Sequence, residues 1–88
     1  MLEKYKKLKS MLQEKYNISL SDDINEIGEQ IEIVFDEYAI TISVENNSFQ
    51  VIIDRYNEAD NRWEAVEEKH YKIVNPTYKF IESWIKNN

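Results

Sequence analysis

The sequence predicts an α+β protein, a two-layer sandwich in which an N-terminal and a C-terminal helix pack on one face of an antiparallel meander of three or four strands. Three observations carry this expectation. Residues 30–56 alternate apolar and polar side chains with a period of two, the signature of strands covered on one side and wet on the other. Residues 2–16 and 78–85 instead repeat their apolar positions every three or four residues, as amphipathic helices do. A single glycine and a single proline leave no linker-like stretch, so residues 1–88 read as one domain.

In the first segment Leu2, Tyr5, Leu8, Leu12 and Tyr16 fall in an arc of about 120° at 100° per residue, which predicts a helix ending near Asn17. Its lysines are scattered, with Lys9 pointing into the apolar arc, so no basic stripe for nucleic acid emerges. The run Ser21-Asp22-Asp23-Ile24-Asn25-Glu26-Ile27-Gly28 places a capping hydroxyl before two acids and ends on the lone glycine. That pattern fits a short helical turn over 22–27 or an ordered loop leading into the first strand.

Strands are predicted near 29–35, 38–45 and 48–56. Joined by two-residue turns at Asp36-Glu37 and Asn46-Asn47, they place Ile31, Ile33, Phe35, Tyr38, Ile40, Ile42, Val44, Phe49, Val51 and Ile53 on one side, interrupted only by Arg55. Asparagine tolerates positive φ at such a turn, whereas Glu37 does not favour it, so a longer or bulged connection is the alternative for the first turn.

Residues 57–61 have turn composition, and Arg62 to Glu67 return as a fourth strand in which Trp63 and Val66 cannot both face inward without a bulge. A four-residue loop pairs Tyr56 with Trp63 on the wet face near Ile52 and Val34. A five-residue loop turns Trp63 inward beside Arg55, and the general burial of tryptophan favours this second register. Asn75-Pro76 predicts a helix start, with Tyr78, Phe80, Ile81, Trp84 and Ile85 on its apolar face to about residue 86.

Composition narrows the functional classes. No cysteine is available for disulfides or thiolate metal sites, and His70 is the only histidine, so neither a zinc site nor a catalytic triad is announced. Gly28 stands alone and cannot form a phosphate-cradling loop. Asp22, Asp23, Glu26 and Glu29 lack the spacing of a calcium loop, and a solvated acidic face is the favoured reading. No cofactor is expected, and an enzyme is not. The first residues lack the apolar stretch of a secretory signal, and no apolar run reaches the roughly 20 residues of a membrane span, so a cytoplasmic location is expected.

Charge gives the one positive lead. Residues 1–17 hold five lysines against two glutamates, and the remainder carries six basic and fifteen acidic groups, so +3 and −9 make up the net charge of −6. A body of that sign does not neutralise phosphates, and it favours a protein partner with a basic surface. The expected function is a small acidic interaction module, of the inhibitor or immunity type, that engages a basic, nucleic-acid-binding surface. Its candidate contact residues are Asp22, Asp23, Glu26, Glu58, Asp60, Glu64, Glu67 and Glu68, with Tyr56 and Trp63 as aromatic contacts. A homodimeric assembly protein, joined through the wet face or an open strand edge, is the alternative.

Overall fold

The computed structural model describes all 88 residues. In chain order the elements are α1 (Leu2–Lys15), β1 (Ser19–Asp22), β2 (Glu29–Phe35), β3 (Tyr38–Glu45), β4 (Ser48–Asn57), β5 (Arg62–Tyr71) and α2 (Val74–Asn87). The strands form one antiparallel sheet in the order β1-β2-β3-β4-β5, and both helices cover the same face. Neither helix is long and apolar enough to cross a membrane.

Alternation sets which face is covered. Ile31, Ile42 and Val51 lie in one cross-strand row, Ile33, Ile40 and Ile53 in the next, and Val44 stands opposite Phe49. All eight are buried against Tyr5, Leu8 and Leu12 of α1 and Val74 and Ile81 of α2. Phe35 and Tyr38 close the layer at its margin, stacked with ring centroids 5.5 Å apart, and Trp84 of α2 meets Tyr38 edge-on. Both hairpin turns contain two residues. Asn46 and Asn47 take φ of 51° and 56°, the pair of positive values a type I′ turn requires. At the other turn Asp36, not Glu37, takes the positive φ of 51°, which removes the expected obstacle at Glu37.

Polar ties fix the helices to the sheet. Glu29 accepts hydrogen bonds from the Tyr5 hydroxyl at 2.7 Å and the Lys9 ammonium at 2.8 Å, which explains a lysine within the apolar arc of α1. Those donors hold the Glu29 carboxyl below its usual range, while burial and the neighbouring carboxylate raise the Tyr5 phenol. Lys15 pairs with Glu82 and joins α1 to α2.

Three expectations change. Of the two readings of 22–27 the ordered loop holds and the helical turn does not, and what is new is Ser19–Asp22, an additional strand paired with 29–32. Asn25 is the physical reason, since its Oδ1 accepts the amides of Ile27 and Gly28 at 2.9 and 2.8 Å, in place of helical bonds, before Gly28 turns at φ +88°. Helix α2 begins two residues early, capped at Ile73, so Asn75 is not the N-cap and Pro76 is its third residue. Proline is tolerated there because the first turn's amides have no intrahelical acceptor, and the Thr77 hydroxyl donates to the Ile73 carbonyl at 2.8 Å.

The third change concerns Trp63. Asn57 pairs with Arg62 and Tyr56 with Trp63, leaving a four-residue connection, so Trp63 lies on the open face, 46% exposed. The register shifts between Ile53 and Asp54, which face Glu67 and Ala65, and Val66 is the extra residue of a bulge.

Two outcomes test this arrangement. Ile40→Ala is expected to cost about 2–5 kcal/mol and Val34→Ala, on the opposite face, under about 0.5 kcal/mol in urea denaturation; the reverse order would transpose the two faces. Because the folded-state pKa of Glu29 is depressed, its contribution is present above the unfolded value of about 4.3 and is lost as pH falls through the folded value. The stability gap between wild type and Glu29→Gln should therefore close on acidification from about pH 6, and a pH-independent gap would assign Glu29 a packing role alone.

Candidate functional site

Antiparallel connection separates the acidic residues that the sequence groups together. Asp22, Asp23 and Glu26 lie at the end formed by the β1–β2 loop and the β3–β4 turn, where Glu26 accepts the Asn47 amide at 3.2 Å. Tyr56, Glu58, Asp60, Trp63 and Glu64 lie at the opposite end, about 25 Å away by strand rise. Glu67 turns to the helix side and accepts the Trp84 indole N–H at 2.7 Å. Glu68 projects from the open face, where His70 and Gln50 hold its carboxyl below the usual range. Asp22, Asp23 and Glu26 are therefore separated from Glu58, Asp60 and Glu64 by the length of the sheet.

A different acidic surface is. Strand register places Glu32, Glu45, Asp54 and Glu68 on the uncovered face and no lysine or arginine among them, because Arg55, Arg62 and Lys69 all alternate to the helix side. Apolar groups fill the space between: Val34, Ala39, Asp54 and Ala65 form one cross-strand row, with Ile52 and Tyr56 on either side of Asp54 along β4. Asp54 has no hydrogen-bond or ion-pair partner, and burial pushes its carboxyl above the usual range. Alternation along β4 puts Asp54 on the open face but does not by itself reveal this environment. Its isolation depends on Ala39 and Ala65 facing it, which the uncertain register of β5 concealed.

At the end of this face, beyond Asp54, the sheet carries a hollow lined by Val34, Asp36, Glu37, Tyr56, Glu58 and Trp63. Tyr56 and Trp63 meet edge to face, centroids 5.3 Å apart. The loop that carries them is held from within. Asn57 Oδ1 accepts the amides of Ala59 and Asp60 at 3.0 and 3.3 Å, and Asn61, at φ +53°, accepts the Tyr56 hydroxyl. Neighbouring arginines are already engaged, Arg55 with Glu37 at 3.3 Å and Arg62 with Glu64 at 3.2 Å. Asp36 and Glu58 have no ion-pair partner, so the hollow combines two aromatic rings with two uncommitted carboxylates. On the helix side of the same end, a cleft lined by Arg55, Glu64 and Val66 shares Glu37, Tyr56 and Glu58 with the hollow.

Chemically, the arrangement offers acceptors and π-faces. No group of three or more histidine or acidic side chains converges closely enough to hold a metal ion, and His70 stands exposed beside Glu68 at 2.7 Å. No protein-family model matches the sequence, and comparison with curated proteins and with solved structures finds no significant similarity.

The Asp54 environment generates a signed expectation. A carboxyl whose folded-state pKa is raised gives the native state the tighter hold on the proton, so stability falls as pH rises through its titration. Asp54→Asn should be more stable than wild type at pH 7, and the difference should close near pH 3, where both forms are neutral. Thermal melts at the two pH values measure it, and a destabilised Asp54→Asn at pH 7 would mean that the carboxylate has a stabilising partner.

Proposed function

We propose that this protein is a small non-enzymatic binding module whose open sheet face receives a basic protein surface, in the manner of an inhibitor or immunity-type protein that occupies a partner's nucleic-acid-binding groove. The supporting observation is the sorting of charge by face. Glu32, Asp54 and Glu68 project from the uncovered side without a lysine or arginine beside them, while α1 and α2 carry Lys4, Lys6, Lys7, Lys15, Lys79 and Lys86 on the other layer. Such a charge dipole steers a cationic partner to the sheet and repels it from the helices.

Asp54 adds a local reason. Its carboxylate is partly desolvated and unpaired in the isolated chain, and a partner's ammonium or guanidinium beside it would supply the missing counter-charge. Self-pairing through the same face is disfavoured by the same charges. A two-fold interface joins the same patch on both copies, so it would bring one acidic face against another.

Titration of the isotopically labelled protein with an oligolysine peptide, followed by amide chemical shifts, tests the proposal. Shifts are expected at Glu32, Asp54 and Glu68, weakening more than about tenfold between about 0.05 and 0.5 M salt, and disappearing in Glu32→Lys/Glu68→Lys. Shifts gathered at Asp22, Asp23 and Glu26, or binding indifferent to salt, would remove the open face from the reading.

A further inference from the structure

The hollow at the end of the sheet narrows the chemistry of the partner, and this step rests on the reading of the open face as a receptor for basic protein surface. We infer that the hollow between Tyr56, Trp63 and Val34 seats a single arginine side chain of the partner, with Asp36 and Glu58 as its carboxylate acceptors.

Each wall of the hollow selects one property of that side chain. Val34 is 62% exposed and Trp63 46%, and with Tyr56 they form an apolar and aromatic surface that prefers a flat, weakly hydrated group. A guanidinium stacks on aromatic faces and is more weakly hydrated than an ammonium, which remains a compact, strongly solvated charge. Asp36 and Glu58 require positive charge. They enter the hollow from different connections, the β2–β3 turn and the β4–β5 loop, and the planar fork of arginine carries donors on more than one edge to meet both.

The two arginines of the chain itself are already committed elsewhere. Arg55 lies on the helix side with Glu37, and Arg62 is taken by Glu64 and Asp60, so no arginine of this chain fills the hollow. Little ordering remains to be done on binding, because Asn57 and Asn61 hold the loop and fix the Tyr56 ring before any partner arrives. The position also suits an anchor. The hollow continues directly into the acidic open face, so a partner that inserts one arginine there lays its adjacent basic surface over Asp54 and Glu32.

The decisive experiment compares blocked peptides alternating glycine with arginine, lysine or citrulline, read from the two indole N–H resonances of the full chain. Trp63 reports the hollow, and Trp84, held by Glu67 on the helix side, is the internal control. The arginine peptide is expected to move the Trp63 signal and not that of Trp84. It should bind about tenfold more tightly than the lysine peptide, with the flat but neutral citrulline peptide weaker than both. The isosteric Asp36→Asn/Glu58→Gln should lose about tenfold, as should Trp63→Ala, which lacks the reporting indole and is followed instead by the Glu58 backbone amide, whereas Asp22→Asn/Asp23→Asn, which removes two charges from the opposite end, should stay within about twofold.

Equal affinity for the arginine and lysine peptides, a stationary Trp63 signal, or equal losses from the two double variants would overturn the arginine seat. If open-face amides at Glu32 and Glu68 still move while Trp63 is silent, the seat alone is lost and the basic-partner reading stands. No shift with either cationic peptide removes both.

Discussion

Two helices of fourteen residues roof only one side of a five-stranded sheet, and everything else about the molecule follows from that one-sided cover. A strand exposes alternate residues to opposite faces, so every buried position on β4 is interleaved with one on the open side. Phe49, Val51 and Ile53 are fully buried, while Gln50, Ile52 and Asp54 alternate with them on the far face. The open surface is therefore placed by the core. Its side chains rise from the same strands whose alternate residues are fully buried, so the core fixes where they stand.

The bulge at Val66 is what lets one strand serve both layers. Unbroken alternation along β5 would put Trp63, Ala65 and Glu67 on one side. With the extra residue, Trp63 and Ala65 remain on the open face beside Tyr56 and Asp54, and Glu67 returns to the helices to accept the Trp84 indole. The same irregularity, together with Arg62, Glu64, Glu67, Glu68 and Lys69, blunts an edge strand ten residues long. Strand β1 closes the opposite edge, so neither side presents a long, regular, apolar ladder.

Much of the architecture is legible from residue pattern, and the departures share a cause. The strands at 29–35 and 38–45 and the two-residue turns follow from alternation that runs unbroken over three strands, and β4 extends only one residue beyond the expected 56. What the pattern does not carry is the competition between side-chain and backbone hydrogen bonds. Asn25 converts an apparent helix start at 22–27 into a loop, and this leaves the four residues Ser19–Asp22 free to pair with β2; Ser19 and Ser21 are too polar and the strand too short to be read from periodicity. Asn57 and Asn61 set the short β4–β5 connection and so decide the face of Trp63 against the general burial of tryptophan. Among the acidic residues, sequence proximity grouped positions that hairpin topology sends to opposite ends, while the Asp54 environment arises only when β3, β4 and β5 are in register.

Ion pairs are unevenly distributed over the acidic residues. Four carboxylates on the helix side or at the helix margins are paired within the chain, Glu29 with Lys9, Glu82 with Lys15, Glu37 with Arg55 and Glu64 with Arg62, although Glu14 and Glu67 there have no ion pair and Glu68 on the open face meets His70. Glu32, Glu45 and Asp54 on the open face, and Asp36 and Glu58 at its end, have no such pair. Like charges gathered on one face repel one another and weaken the folded state, and Asp54 adds the cost of partial desolvation to that repulsion. No contact within the chain returns this cost, although eleven lysine and arginine residues are available and most of them stand on the opposite layer. A surface that is placed by the core, partly desolvated at Asp54 and left without lysine or arginine is electrostatically incomplete within the chain, and the proposed basic partner is argued from that incompleteness.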